Sequence, residues 1–361
     1  MAKNLSIVAQ GISGEEGKLL GYNVSDNGIY TPAIGDVVRG TSATYVAQDG
    51  TIKTAPPNVA RVDYTNGVAE LLLEPSSTNY VLNSYDFTQW SNGANSLTPN
   101  YAISPDGNQN ATRITFSANQ VVSQSTSVPI GVTATASIYI KGNNGKTITL
   151  NVGGVDVTHT LIGEWQRLES TGTTANGNII ISTYGGVTAN DILVWGAQME
   201  QGDFATSYIP TNVATATRSA DSLTNFGSTQ IIDTQSGILF FEGSALSNDL
   251  TYRTISLGNG NEGIVNLFYN NASNTIVCSA ENILIIAQVP DITKNTKFVV
   301  RYATNDFTLF ANGVQIGQDT SGYVKANLLR FDFNNGAGGS PFYGRIRQVK
   351  HLPYNTDISK L

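Results

Sequence analysis

The chain has 361 residues, enough for two ordinary domains plus a smaller segment, and only 13% of them are charged. Its 20 basic and 27 acidic residues give a net charge of −7 with no cluster of Lys or Arg, which excludes a nucleic-acid partner, because neutralising phosphates needs a basic stripe. The single cysteine, Cys278, cannot form an intramolecular disulfide, and no apolar run is long enough for a signal peptide or a membrane span, so a soluble cytoplasmic product without membrane insertion is expected.

With 36 glycines and many Ser, Thr and Asn residues, the composition is that of an all-β protein rich in turns. No window repeats apolar positions at i, i+3, i+4 and i+7 between good helix caps. Residues 1–40 mix Gly14-Glu-Glu-Gly-Lys-Leu-Leu with Gly and Pro punctuation, too little for a core of their own, so they are expected to dock on the following domain or on another protein. Asp49-Gly50 and Asn66-Gly67, each between alternating runs, predict two short hairpins and complete an N-terminal docking segment over 1–75.

A first module is predicted over 76–212. After the turn Ser104-Pro-Asp-Gly, strands are expected at 120–127, 134–141, 147–152, 155–161, 165–171, 178–183 and 191–199, the antiparallel pattern of a β-sandwich or jelly roll. The last runs into Val194-Trp-Gly-Ala-Gln-Met-Glu-Gln-Gly-Asp-Phe-Ala-Thr-Ser-Tyr-Ile-Pro. This stretch reads as a structural closure: Trp195 buried, Tyr208-Ile-Pro at a domain junction, 210–220 a linker, and ligand contacts elsewhere. A second sandwich is predicted over 219–361, with strands at 237–243, 251–258, 263–269, 275–279, 283–289, 296–303, 306–311, 314–318, 327–333 and 344–352. Asn312-Gly313 is its strongest hairpin signal.

The succession Arg61-Val-Asp-Tyr, Leu71-Leu-Leu-Glu-Pro and Thr78-Asn79 after the Asp-Gly turn resembles bacteriophage virion surface proteins, tail or head fibres, and the closure at 194–210 strengthens that likeness. The strand order of 76–212 resembles the β-jelly-roll carbohydrate-binding modules. Lys297-Phe-Val-Val-Arg-Tyr, Phe307-Thr-Leu-Phe-Ala-Asn-Gly and Phe342-Tyr-Gly-Arg-Ile-Arg-Gln-Val resemble the concanavalin A-like lectin/glucanase fold in its laminin-G-like form. The resemblance implies a structural protein of the virion surface, assembled in the bacterial cytoplasm and trimeric. It would join other virion proteins through the N-terminal segment and bind a host cell-surface polysaccharide. A capsid-decorating or fibre-shaft protein without a ligand and a glycan depolymerase stand as the alternatives.

A glucanase of that fold needs carboxylates at alternate positions of one strand, about 5 Å apart. Glu242, Glu262 and Glu281 are isolated, and Asp332 in Phe-Asp-Phe reads as a solvated strand residue. His159 and His351 fall in different modules, no Cys/His/Asp cluster has metal spacing, and Gly-x-Ser-x-Gly does not occur, so no catalytic residue and no cofactor is expected. Sugar binding asks instead for aromatic faces beside Asn, Asp and Gln. Trp165 and Trp195 lie inside strand patterns and read as structural, whereas Trp90, Tyr101, Tyr184, Tyr252, Tyr269 and Tyr343 lie nearer turns and are the glycan-binding candidates. Asp106 and Asp203 could each hold a structural calcium ion, although a plain turn explains the same letters.

Overall fold

The computed structural model describes residues 5–9, 13–15, 18–24, 30–117, 119–227, 232, 235–325 and 328–361. Strands take 51% of the chain in several antiparallel sheets, and no α-helix occurs among the described residues, so the protein is all-β as its composition requires. Two compact units form. One comprises Met1–Ser42, Ala55–Pro75 and Ala220–Leu361; the other comprises Ala43–Thr54 and Ser76–Ser219.

The two-segment unit is a sandwich. Its five-stranded sheet runs Ser96–Ile103, Gln109–Thr115, Asp191–Gln201, Thr133–Gly142, Gln166–Thr173, and its four-stranded sheet runs Val121–Ser125, Asn178–Ser182, Thr147–Val152, Val155–Thr160. Alternation sends Ile114, Ile138, Ile140, Ile192 and Val194 inward against Val122, Ile148, Leu150, Ile179 and Ile181 of the other sheet. Asp191–Gln201 carries a bulge where two of its residues oppose one between Ser137 and Tyr139. Gly196 supplies the required left-handed backbone, φ 64°, and a Cβ there would meet the Tyr139 ring at 3.1 Å. The bulge resets the alternation: Trp195 lies in a small cluster with Tyr208 and Ile52, while Ala197 and Met199 return to the main core.

Past the bulge, Gln198 and Glu200 are buried, and their side chains fasten the returning chain. Gln198 Oε1 accepts from the Ile209 amide at 2.6 Å, and Glu200 accepts from the Thr206 amide at 3.0 Å, the Thr206 hydroxyl at 2.5 Å and the Ser77 hydroxyl at 2.5 Å. Asn79, fully buried, donates to the Ala197 and Ile209 carbonyls and accepts from the Val81 and Met199 amides. The distinctive letters of 194–210 are therefore a closure, as expected, but Tyr208-Ile-Pro belongs wholly to this unit. The stretch 210–220, read as a linker, instead carries the strand Ala216–Arg218, which pairs with Ser77–Asn79.

In the three-segment unit, a five-stranded sheet runs Ile283–Gln288, Thr275–Ala280, Gly263–Tyr269, Arg253–Gly258, Arg330–Asp332. It shares one core with a twelve-stranded sheet through Leu239, Phe241, Phe298, Val300, Phe307 and Ile346 against Ile255, Leu257, Leu267, Ile276 and Cys278. The expected hairpin forms at Asn312-Gly313, both in the left-handed region at φ 48° and 80°, which a type I′ turn demands. The N-terminal stretch is more regular than its punctuation suggests. Leu5–Val8 is a strand that pairs antiparallel with Gly344–Leu352, and Tyr30–Val38 is a nine-residue strand that pairs with Ser222–Thr224. The segment 1–75 contributes to both units, since the Asp49-Gly50 hairpin, Ala43–Val46 with Ile52–Ala55, falls mainly in the two-segment one.

The three segments of this unit meet at four buried charges. Arg61 pairs with Glu74 at 2.6 Å and Asp221 at 2.5 Å, Arg39 pairs with Asp221 at 3.0 Å, and the Glu74 amide donates to Asp221 at 2.8 Å. All four side chains are at most 3% exposed. Burial pulls the Arg61 pKa down, but the two carboxylates outweigh it and leave the guanidinium more firmly charged than usual. Removing one partner of such a group leaves its counter-charges buried and unpaired. Arg61→Ala is therefore expected to destabilise this unit by about 3–5 kcal/mol, read as a lower urea midpoint; a shift of under about 1 kcal/mol would contradict it. Burial also pushes the Cys278 thiol up to about 12, so it should resist thiol reagents in the native protein and react fully in denaturant.

Candidate functional site

The outward face of the five-stranded sheet in the two-segment unit carries the polar constellation best suited to a ligand. The ladder places Arg113 opposite Leu193 and Leu193 opposite Lys141, so three adjacent strands present them abreast, with Asp191 two residues before Leu193 on the same face. Arg113 clamps Asp191 bidentately, Nε to Oδ1 at 2.8 Å and Nη2 to Oδ2 at 2.6 Å, and reaches the Tyr101 hydroxyl at 3.3 Å. Its guanidinium lies 5.0 Å over the Tyr101 ring. Together with Lys141, Asn143 and Asn144 these residues line a cleft of about 300 Å³.

The electrostatics keep both partners ionised. The hydrogen bonds from Arg113 hold the Asp191 carboxyl below the usual carboxylate range, against a smaller opposing effect of burial. The pair's contribution to stability is thus complete at neutral pH and is lost only as acid carries the pH down through that depressed value. Lys141 is tied at 2.9 Å to Glu164, a side chain 78% exposed, and so weakly held. The cleft offers a rigid fork of donors, carboxylate lone pairs, two side-chain amides and a tyrosine ring 49% exposed. That set can grip a hydroxylated ring; it contains no nucleophile beside a base.

Of the six aromatic candidates, Tyr101 alone joins this cluster. Trp90 is a correction: it is 3% exposed, packs on Phe87 at 4.8 Å, and donates its indole N–H to the Asn83 carbonyl. Tyr269 is likewise core, 1% exposed, so no ring can stack on either. Tyr184 is exposed after the strand Asn178–Ser182, and Tyr343 is half-buried. Tyr252 is exposed beside Phe268, its hydroxyl donating to Asn271 at 3.2 Å, in the other unit. Asp106 holds an Asx turn: its oxygens accept from the Ser104 hydroxyl, the Asn108 amide and the Asn110 side chain. One carboxylate so occupied does not make the six to eight oxygen ligands of a calcium site, and no group of three or more His, Cys, Asp or Glu converges among the described residues. Asp203 is an exposed turn residue.

The carboxylates considered for hydrolysis are separately engaged. Glu242, in the twelve-stranded sheet, accepts from Asn295 and Gln348 at 3.0 Å each, and Glu262 pairs with Lys325 at 2.9 Å on the surface. Asp332, expected to be solvated, is fully buried in the five-stranded sheet; it accepts from Arg330 Nε and the Asn225 amide at 2.8 Å each. His159 is half-buried, bonds Ser170 at 2.9 Å and has its pKa lowered by burial, while His351 is buried against the Tyr302 hydroxyl at 2.8 Å.

Sequence reasoning missed Arg113, Asp191, Lys141 and Asn144, because only the strand register brings them together. It also placed ligand contacts away from 194–210. Trp195 is indeed 3% exposed, yet with Tyr208 and Pro210 it lines a second cleft, of about 250 Å³.

No protein-family model matches the chain, and no curated protein does. Among solved structures, the N-terminal CBM22-1–CBM22-2 tandem domain of Xyn10C from Paenibacillus barcinonensis overlaps 77% of this chain and 96% of its own, at 10% identity and a TM-score of 0.25. Trypanosoma rangeli sialidase, in complex with the inhibitor DANA, overlaps 97% of this chain and 82% of its own, at 8% identity and a TM-score of 0.32. Likenesses this slight carry no argument about the site.

Replacing Arg113 with Gln keeps the side chain's bulk but removes the clamp. In Arg113→Gln the Asp191 carboxyl should titrate at a higher pH than in the unaltered chain, followed by carboxyl-carbon NMR; an unmoved Asp191 would assign its depression to something other than Arg113.

Proposed function

We propose that the chain is a structural surface protein of a bacteriophage particle, a tail or head fibre, that binds a host-surface glycan through the cleft of Tyr101, Arg113 and Asp191. The observation that carries the glycan reading is the pairing of a half-exposed aromatic ring with a rigid, bidentate Arg–Asp clamp in a cleft of about 300 Å³, the size for one or two sugar rings. The particle setting is supported by the sequence motifs at 61–79 and 194–210. Weak single-sugar sites gain from repetition, which supports a homotrimer, and attachment to other virion proteins through the N-terminal segment completes the reading.

A non-enzymatic role agrees with Glu242, Glu262 and Asp332 each being engaged by its own partners and lying apart, on different sheets or on the surface. A ligand-free shaft protein would have no use for the clamp beside an exposed ring. On an array of bacterial surface glycans, the full chain should bind a restricted set of sugars without cleaving them, and Tyr101→Ala should weaken that binding about tenfold. Absence of binding to any host-surface glycan would sink the adhesin reading in favour of the shaft protein; turnover of a bound polysaccharide would favour the depolymerase.

A further inference from the structure

The second cleft of the two-segment unit is built differently. Its walls are mainly aromatic and apolar, from Trp195, Tyr208 and Tyr85 among others, with Thr44, Thr54, Asp106 and Asn110 as polar members. Most polar groups there are spent within the protein: the Tyr208 hydroxyl on Ser84 at 2.6 Å, Asp106 Oδ1 on Ser104 and Asn108, and Asp106 Oδ2 on the Asn110 amide nitrogen at 3.0 Å. Two are not. The indole N–H of Trp195 and the side-chain oxygen of Asn110 are buried without any hydrogen-bond partner. The amide orientation of Asn110 follows from chemistry, since Asp106 can only accept and must therefore face the nitrogen.

The two groups come from neighbouring strands. Asn110 lies on Gln109–Thr115 and Trp195 on Asp191–Gln201, which are adjacent in the five-stranded sheet, and both side chains line this cleft. One unspent donor and one unspent acceptor thus belong to side chains that line one cleft. A hydroxylated ring satisfies both at once, whereas a purely apolar ligand satisfies neither. Asp106 adds selectivity. Burial raises its pKa, but its three hydrogen-bond donors together outweigh that and keep the carboxyl below its ordinary value, so the wall is negative at neutral pH and disfavours an acidic sugar.

We propose that this cleft is a second carbohydrate subsite, which takes a single neutral sugar residue with the Trp195 indole donating to one of its oxygens and Asn110 accepting from one of its hydroxyls. A volume of about 250 Å³ suits one ring. Both atoms are shielded in the free protein, so the ligand enters as the cleft opens slightly, and the new hydrogen bonds offset that opening. The proposal shares the glycan reading given above but none of its residues.

The test is the Trp195 indole cross-peak in 15N–1H NMR spectra of the full chain, assigned with Trp195→Phe and titrated with methyl glycosides of glucose, galactose, mannose and N-acetylglucosamine, and with glucuronate. A neutral glycoside is expected to shift that cross-peak and, by the concentration dependence of that shift, to bind about tenfold more weakly to Asn110→Ala, one hydrogen bond being worth about tenfold. Should Trp195→Phe fail to fold, Asn110→Ala carries the affinity comparison and elimination of the other two indole peaks gives the assignment. An indole peak that no neutral glycoside moves overturns the proposal, leaving solvent only in the cleft, and if Tyr101-dependent binding persists the first site survives. A response to glucuronate equal to that of the neutral sugars overturns the assigned selectivity.

Discussion

Everything in the three-segment unit depends on where its pieces are joined. Arg39 ends the first segment, Arg61 and Glu74 belong to the second, and Asp221 opens the third, so the buried ionic cluster marks the place where the chain leaves the unit and returns to it. Two positive and two negative charges make a neutral set. Such a set contributes little net stability compared with well-packed apolar side chains, but it admits no other register: displacing any segment strands a charge in the core. The sandwich sheets supply the favourable area; the cluster decides which segments may share it.

A parallel solution, made of uncharged and singly charged side chains, closes the two-segment unit. Asn79, Gln198 and Glu200 spend their capacity on the backbone of 206–211 and its neighbours, and the bulge at Gly196 is what turns Gln198 and Glu200 toward them. Trp195 lies on the outer face, because Val194 before it points into the main core. Closure and the wall of a cleft thus come from one strand, which is why the most structural stretch of the sequence borders the most unusual polar atoms of the unit.

Most strands were legible because alternation and turn residues speak locally. Thr147–Val152, Gly263–Tyr269, Thr296–Ala303, Asp306–Ala311 and Gly344–Leu352 fall where Val, Ile, Phe and Tyr alternate between Gly- or Asn-bearing turns. Ser96–Ile103 was not legible: it is an edge strand whose residues are mostly solvated, so neither face imposes a pattern. The strands within 5–38 are broken up by Gly and Pro, and although Lys18–Val24 pairs locally with Tyr30–Val38, the outer partners of Leu5–Val8 and Tyr30–Val38 lie far along the chain at Gly344–Leu352 and Ser222–Thr224, where a local pattern cannot show them. At the candidate site, Tyr101 could be nominated from its position near a turn. Arg113 beside Asp191 could not, because 78 residues separate them and only the ladder makes them neighbours. Trp90 and Tyr269 show the converse limit: proximity to a turn says little about burial.

The pairing of Leu5–Val8 with Gly344–Leu352 fixes an order of events. On the ribosome the first strands emerge long before the strand that completes their sheet, whereas the segments of the two-segment unit are all synthesised by Ser219. That unit can therefore mature while its host is still unfinished. Until the last strand arrives, the N-terminal strands remain an open template for wrong partners, a kinetic hazard that grows with the time between them.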